Sequence, residues 1–381
     1  AFAKKEVVLS IAIVAAIITC FFVPPDAQYL GYFEEKTLIA LFCMLSVVAG
    51  LKHTEVFELI SKKMIGLFHT RRTVIYALVF GTYFFDMIVA NDMSLITFLP
   101  LAYIVLHSTG NDKYLSFTFI MMTIAANMGG MITPYGNPQN LYLFSFYEME
   151  LLDFLKALAV QAATILIMLF LCGFFVKNEK LELINDKKLN IKYKKLAVYV
   201  ALFVLVILCI FRVVNHWIAL GIVVAVILAM DRKRFKEVDY ALLATFCVFF
   251  VFSGNIARID AISEFIKSIV GANGENVLIA GIVSCQFISN VPTAIFLSKF
   301  TDVLYSPDLL VAVNVGSLGV IISSLASLIT LKEFLKHQPK GFKKKRTKLM
   351  PAFHLFTRRY PAIVRAMSRR HIMYNEQLDY L

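Results

Sequence analysis

Charged residues are scarce in this chain. They make up 17% of the 381 positions, whereas hydrophobic residues make up 59%. A soluble domain carries about a quarter charged residues. A helix that crosses the hydrocarbon core of a membrane needs about 20 mostly apolar residues, and several stretches of the chain have or approach that length. The composition therefore excludes an ordinary soluble protein and predicts an all-α membrane protein with many spans.

Several chemical signatures are missing as well. The six cysteines lie in apolar stretches without a C-x-x-C pair, which argues against disulfides and a zinc site. No histidine has a spacing to cysteine or acidic residues that is typical of a metal centre or a nucleophile. No phosphate-binding loop occurs, which argues against an ATP-driven pump. We therefore expect no enzymatic activity, no cofactor and no metal, apart from Na⁺ as a coupling ion.

The excess of positive charge lies in the C-terminal tail. From Lys332 to Leu381 the chain has 13 Lys or Arg and 3 Asp or Glu, while the other 331 residues have 25 basic and 23 acidic side chains. A basic segment beside a membrane faces the anionic lipid of the cytoplasmic leaflet, so lipid rather than nucleic acid is the expected partner.

Loop charge also predicts the orientation of the chain. The basic loops 52–73, 177–195 and 231–239 are expected in the cytoplasm, and the acidic loop 24–36 outside. The first apolar run, 7–23, is interpreted as a retained helix rather than a signal peptide. The N-terminus and the tail then both lie in the cytoplasm, in a multi-pass protein of the cell (inner) membrane.

Two pairs of apolar segments surround short polar tips. The first pair, over 74–107, has Asn91-Asp92 at its tip, and the second pair, over 277–305, has Asn290. Polar backbone at membrane depth is tolerated only where it is buried in protein or lines a cavity. Both pairs are therefore predicted to be re-entrant helical hairpins.

Three sequence blocks recur in the same order at offsets of about 200 residues, which indicates an internal duplication. The matches are Phe42-Cys43 with Phe246-Cys247, 90–96 with 289–295, and 127–141 with 314–328. Because loop charge gives the two halves opposite directions, we predict inverted repeats at 1–176 and 196–331, a basic linker at 177–195 and a basic tail at 332–381. Inverted repeats with broken helices are typical of secondary transporters.

Each repeat is also predicted to contain a broken transmembrane helix, over 115–150 and 309–331. Six Gly, Pro or Thr residues between 129 and 138 disfavour regular helix. Such a break frees backbone carbonyls for a cation and exposes a helix start that favours an anion. The second break has Val320-Ile321 instead of a Thr-Pro pair, so we expect it to be less completely unwound. A proline-kinked, continuous helix is the alternative for the first break.

Four polar side chains at the hairpins are candidates for chemistry. The amides of Asn91 and Asn290 could bind an anion or cap a helix. Asp86 and Asp92 are the carboxylates expected at membrane depth, where an acid marks an ion or proton path. Their counterparts in the second half are uncharged, so the sequence predicts one principal cation or proton site near the first hairpin. For Asp86, a position beside a wet vestibule is the alternative.

Three motifs make the chain similar to the ion transporter superfamily, which includes citrate and divalent-anion symporters, arsenite efflux permeases and sodium/proton antiporters. They are A-N-D-M-S-L-I-T-F-L-P-L at 90–101, G-G-M-I-T-P-Y-G-N-P-Q-N at 129–140 and I-S-N-V-P-T at 288–293. The similarity covers roughly residues 7–331. The tips are closer to the arsenite-permease and citrate-transporter-like branch than to the sodium symporters.

The resemblance implies roles for particular residues. It implies cation contacts at Asn91, Gly130, Asn290 and Ser317, and substrate contacts at Asn91, Thr133, Pro134, Asn290 and Thr293. It also implies a homodimer that works by an elevator movement.

We therefore expect a secondary active transporter of a small anion, a di- or tricarboxylate or an inorganic oxyanion, coupled to Na⁺ or H⁺. The alternatives on the same scaffold are a Na⁺/H⁺ antiporter and an arsenite-type efflux permease. An ion channel and a membrane-embedded enzyme are alternatives of other classes.

Overall fold

The computed structural model describes residues 7–89, 91–181, 192–271 and 273–337. Within these ranges the chain forms sixteen α-helices, joined by turns and short 3-10 helices, and no β-strand. The all-α fold that the composition predicted is therefore confirmed.

The helices of the first half begin with a long pair and end with a long apolar helix. They are α1 Val7–Phe22, α2 Glu35–Lys52, α3 Val56–Gly66, α4 Arg71–Asp86, α5 Asn91–Ser108, α6 Leu115–Gly129, α7 Pro138–Phe146 and α8 Leu151–Gly173.

The second half has the same succession of long, short and interrupted helices. Its members are α9 Tyr193–Ile210, α10 His216–Asp231, α11 Tyr240–Ala257, α12 Asp260–Val270, α13 Gly274–Ile288, α14 Asn290–Ser298, α15 Ser306–Gly316 and α16 Leu325–Lys336.

Four helical segments are long and apolar enough to cross a membrane: Asp112–Ile132, Leu151–Gly173, Tyr193–Ile210 and Tyr240–Ala257. A fifth span is formed if α12 and α13, which meet at an angle of 113°, are counted as one. Only 28% and 33% of the residues in α9 and α8 are buried, against 83% in the segment that contains α6. Because α8 and α9 expose apolar side chains such as Phe170 and Val204, they suit a lipid-facing position, whereas α6 lies inside.

Local sequence sets the ends of the helices around the site. Thr70 and Thr73 form a reciprocal cap at the start of α4, and Pro138 occupies the first turn of α7. Ser324 caps α16 by accepting a hydrogen bond from the backbone of Ser327. Ser289 separates α13 from α14 with a positive φ of 74°, which ends one helix and allows the next to start at once.

The helices α4–α7 and α13–α16 pack in matching ways. In the first half α4 packs on α6, and in the second half α13 packs on α15. The second arm of each hairpin packs on the other half: α5 contacts α16, and α14 contacts α7. This pattern agrees with an internal duplication, while the inverted orientation and the domain boundaries stay predictions.

Some helix ends differ from the predicted segments. The second hairpin was predicted over 277–305, and its second helix, α14, ends at Ser298. The helix α16 continues to Lys336, past the predicted end of the repeat at 331. The expected tail beyond 337 and the middle of the predicted linker, 182–191, lie outside the described residues.

Two ion pairs attach loops to helix ends. Arg258, after α11, binds Asp26 at 2.6 Å and the Tyr32 hydroxyl at 2.9 Å. The hydrogen bond from Arg258 lowers the pKa of the exposed Asp26 carboxyl. The buried Arg71, at the start of α4, pairs with Glu179 and lowers the pKa of that carboxyl. Both contacts lie away from the hairpin tips and hold the periphery together.

Candidate functional site

The first hairpin tip lies inside the protein. Asn91 is the first residue of α5 and is 7% exposed, and its side-chain Nδ2 donates to Oδ1 of Asn127 in α6 at 3.3 Å. Ser94 donates to the carbonyl of Thr82 across the hairpin at 3.2 Å. The tip is therefore held by side-chain hydrogen bonds within the protein, as the hairpin interpretation requires.

The first interrupted helix breaks where the sequence predicted. After α6 ends at Gly129, one 3-10 turn and a segment with an extended Thr133 lead to α7. Asn140 donates to the carbonyls of Gly130, Met131 and Thr133 at 3.1–3.4 Å. The freed carbonyls are thus gathered around one amide, and each keeps a second lone pair for another donor or an ion.

The two glycines at the end of α6 allow the break to lie against the first hairpin. A Cβ at Gly129 would overlap the backbone of Tyr83 in α4, and a Cβ at Gly130 would overlap oxygens of Asp86 and Asn137. Thr133 donates to the carbonyl of Met87 at 2.8 Å. Close approach of the Tyr83 backbone at Gly129, and of two side-chain oxygens at Gly130, therefore explains why glycine suits both positions.

The second hairpin tip is buried as well. Asn290 is 4% exposed, and its Oδ1 accepts from the backbone N–H of Val291 at 2.9 Å and from the Ser289 hydroxyl at 3.2 Å. Thr293 donates to the carbonyl of Ser289 at 2.7 Å. In this conformation the oxygen of Asn290 and the hydroxyl of Thr293 hold the helix start, which matches the capping alternative for Asn290.

The second interrupted helix lacks α-helical structure over residues 317–324, which is as many positions as in the first break, 130–137. The expectation of a smaller second break is therefore wrong. Side chains hold it open. Gln286 donates to the carbonyl of Gly316 and accepts from the N–H of Val320, both at 2.9 Å. Ser323 donates to the carbonyl of Ser317 at 2.8 Å. Ser317, a predicted cation contact, is 1% exposed and donates to the carbonyl of Asn314 at 2.6 Å.

Two buried asparagines join the halves in matching ways. Asn127 of α6 donates to the hydroxyl of Ser324, the cap of α16, at 3.1 Å. Asn314 of α15 donates to Oδ1 of Asn140 in α7 at 2.7 Å and accepts from Gln139 at 3.2 Å. Each interrupted helix therefore reaches the start of the helix that follows the other interruption.

These contacts bring the starts of four helices together. Asn127 connects the start of α5 to the cap of α16, Ser289 before α14 donates to the carbonyl of Ser323 at 3.3 Å, and Asn314 contacts the start of α7. A helix start carries partial positive charge and free N–H groups. The buried centre is thus suited to negative charge, while the ends of α4 and α6, with Asp86, are suited to positive charge.

The structure brings most of the predicted residues into this centre. Asn91, Gly130, Thr133, Asn290 and Ser317 take part in it through the contacts above, and Pro134 is buried in the first break. Asp86 is the last residue of α4 and is fully buried. Asp92 follows Asn91 in α5, but its side chain lies outside the described part of the chain. The binding roles of all these residues stay predictions.

Sequence reasoning assigned no role to several residues of the site. Asn127 and Asn314 were matched across the repeat but were given no role. Asparagines at equivalent positions of two broken apolar helices are the signal that could have indicated a shared polar network. Asn137, Asn140 and Gln286 were overlooked. Among the described residues no group of three or more His, Cys, Asp or Glu could hold a metal ion, and all six cysteines are free.

Comparison with known proteins identifies the family. The sequence profile of the citrate transporter family, CitMHS, matches residues 2–328, most of the chain. The chain belongs to the citrate transporter family. The resemblance stated from the motifs is therefore confirmed, and the chain is a multi-pass membrane transporter.

Two relatives of this citrate transporter family member share most of its length. An uncharacterized transporter of Methanocaldococcus jannaschii is 34% identical over 304 residues, which are 78% of this chain and 81% of the relative. The inner membrane protein YbiR of Escherichia coli is 25% identical over 321 residues, 82% of this chain and 83% of YbiR.

Proposed function

We propose that the protein is a secondary active transporter of a small anion, a di- or tricarboxylate or an inorganic oxyanion, coupled to Na⁺ or H⁺ by alternating access. The name of its family supports a carboxylate such as citrate. The observation that carries the proposal is the meeting of four helix starts in a buried amide network. Fixed partial positive charges and N–H donors of this kind bind anions without a lysine or arginine.

The amides of the network supply the polar contacts. Asn91 Oδ1, Gln139 Oε1 and Asn137 Oδ1 have no hydrogen-bond partner among the described residues, although all three side chains are more than nine-tenths buried. Buried polar atoms without a partner are costly, and such groups indicate a position where a ligand or ion completes the hydrogen bonding. All three atoms are acceptors, so a coupling cation, or a hydroxyl of the substrate, would supply the missing partner.

Uptake by proteoliposomes tests this function. We expect accumulation of labelled citrate, succinate, sulfate or phosphate that depends on a Na⁺ or proton gradient. Asn91→Ala and Asn127→Ala should each lower uptake at least tenfold, because each removes an amide from the network. Asn178→Ala, an exposed loop variant, is the matched control. If none of these anions is transported under either gradient, the proposal is wrong.

One observation favours a second function, a Na⁺/H⁺ antiporter on the same scaffold. A fully buried carboxylate, Asp86, lies at the end of α4 beside the first interrupted helix, and such carboxylates carry protons or cations in many transporters. Cation-dependent proton flux without any added anion would favour this function.

The dimer and the cytoplasmic position of the N-terminus stay predictions, which cross-linking and accessibility labelling would test.

A further inference from the structure

A polar cavity lies where the end of α2, the start of α9 and the end of α10 meet. Its volume is about 590 Å³, which falls within the range of about 300–1,000 Å³ that is usual for ligand sites. Helix α2 packs on both α9 and α10. None of the described residues that line the cavity belongs to a hairpin or to an interrupted helix, so the cavity is separate from the buried centre.

The lining of the cavity is strongly basic. Its described residues include five Lys or Arg side chains and one acidic side chain, Asp231. This carboxylate is already paired, with Lys195 at 2.9 Å and with Arg234 at 3.2 Å. The other three basic side chains of the lining form no ion pair with any described residue: Lys192, Arg232 and Lys233. The start of α9 adds the partial positive charge of a helix N-terminus. The cavity therefore suits an anionic ligand.

Two buried donors of the lining lack an acceptor. Tyr199 is 1% exposed, and its hydroxyl has no hydrogen-bond partner among the described residues. Its ring lies against Gly50, where a Cβ would overlap it, so the hydroxyl is held in place. The Nε–H of Arg234 approaches Asp231 but is not aligned for a hydrogen bond. Buried donors without an acceptor are costly, and the oxygens of a phosphate group accept strongly from such donors.

The surroundings of the cavity favour a lipid over a soluble phosphate compound. Leu228 of α10 lines the cavity and is 53% exposed. Farther along the same two helices, α9 exposes Val200 and Val204, and α10 exposes Ile218 and Ile222. The basic cavity thus lies at the edge of an apolar, lipid-facing surface. Basic pockets between membrane helices bind the headgroups of anionic lipids, whose acyl chains would here lie along α9 and α10.

We propose that the cavity between α2, α9 and α10 binds the phosphate-bearing headgroup of one anionic phospholipid. The free cations Lys192, Arg232 and Lys233 attract the headgroup, and the Tyr199 hydroxyl donates to a phosphate oxygen. This site has fixed donors, unlike the general attraction to lipid expected of the basic tail. Because α2 belongs to the first half and α9 and α10 to the second, the bound lipid joins outer helices of both halves. The binding does not depend on which substrate is transported.

Native mass spectrometry of the purified full-length protein in detergent tests the inference. The wild type should bind a first phosphatidylglycerol about tenfold or more tightly than the zwitterionic phosphatidylcholine. Lys192→Gln combined with Lys233→Gln should weaken phosphatidylglycerol binding roughly tenfold or more. Lys194→Gln combined with Lys236→Gln is the matched control, because it removes the same charge from exposed positions of the same two segments that do not line the cavity. The control should bind the lipid as the wild type does.

Two further arms identify the donor and the source of the phosphate. Tyr199→Phe should be as stable as the wild type without lipid, since its hydroxyl has no partner there, but phosphatidylglycerol should raise its thermal midpoint less. Glycerol 3-phosphate at the same concentration as the lipid should not displace it.

Three results would overturn the inference, and the first does not depend on any variant folding. Equal affinity of the wild type for both lipids would show that headgroup charge is not recognised. Equal weakening by the two lysine pairs would assign the binding to overall charge. Displacement by glycerol 3-phosphate would make the cavity a site for a soluble phosphate compound.

Discussion

Replacing Gly129 with alanine tests whether close contact between α4 and α6 holds the site together. The new Cβ would lie 2.9 Å from the carbonyl carbon and 3.0 Å from the Cα of Tyr83, and closer still to the carbonyl oxygen. These are backbone atoms, so no side-chain rotation relieves the overlap and the two helices must separate. Overpacking of this kind lowers folding stability by about 1–3 kcal/mol. Because the neighbour is the backbone of Tyr83, which cannot rotate away, we expect a value at the upper end of this range.

The expected magnitude follows from two opposing effects. Alanine is about 1 kcal/mol better than glycine inside a helix, so the net destabilisation by Gly129→Ala should be roughly 2 kcal/mol. The midpoint of thermal unfolding in detergent should then fall by about 2–3 °C. Because separation of α6 from α4 also moves Gly130 away from Asp86, anion uptake should fall with stability.

Gly221→Ala in α10 is the matched control. This glycine is also helical, but it is exposed and nothing lies within 4 Å of the position of its Cβ. The control should therefore be as stable as the wild type or up to about 1 kcal/mol more stable. If Gly129→Ala unfolds at the same temperature as Gly221→Ala, the helices are not in the contact described, and the reasoning about the first break is wrong.

Three further predictions concern other contacts. Asn314→Ala removes three buried hydrogen bonds, two of them between the halves. The free energy of unfolding in denaturant should fall by about 1–3 kcal/mol, and most of the anion uptake should be lost. Uptake at the wild-type level would contradict its role. The hydroxyls of Tyr142 and Ser298 lie 2.7 Å apart. A double-mutant cycle of Tyr142→Phe and Ser298→Ala should give a coupling free energy of about 0.5–1.5 kcal/mol in unfolding. A coupling of zero would exclude this hydrogen bond. Asp26→Asn should lower the thermal midpoint at pH 7, and the difference should shrink as the pH falls below about 4. The reason is that the pKa of Asp26 is lowered chiefly by the hydrogen bond from Arg258, so its stabilisation is lost as the folded protein's carboxyl is protonated. A pH-independent difference would refute the ion pair.

The positions of the breaks could be predicted from the sequence because glycine and proline disfavour helix at every depth. This explains the agreement at Gly129–Pro138, whereas the hairpin tips were predicted from short polar residues between apolar segments. The second break has no glycine or proline at Val320 and Ile321, and its extent was underestimated. It is held open by Gln286 of α13, which donates to the carbonyl of Gly316 and accepts from the N–H of Val320. These tertiary contacts leave no mark on local helix propensity.

The end of the second hairpin could not be predicted for a similar reason. Phe300, Val303 and Leu304 follow Ser298, and the interruption by Lys299 and Asp302 was too short for the hydropathy pattern to mark a stop. The helix ends where the Tyr147 hydroxyl donates to the carbonyls of Ser298 and Thr301, each at 3.2 Å. No role was predicted for Asn137, because its hydrogen bond to the carbonyl of Asn127 forms only when the chain folds back at the first break.

The crossed packing of the hairpins limits how the molecule can move. Since α5 lies on α16 and α14 lies on α7, a swing of one half against the other would pull each hairpin off its support and break the bonds of Asn127 and Asn314. A motion that keeps both hairpins and both interrupted helices together as one rigid body would preserve these contacts. Such a body would carry bound ions past the outer helices. The surface that slides during transport would then lie between this body and the outer helices, and not between the two sequence repeats.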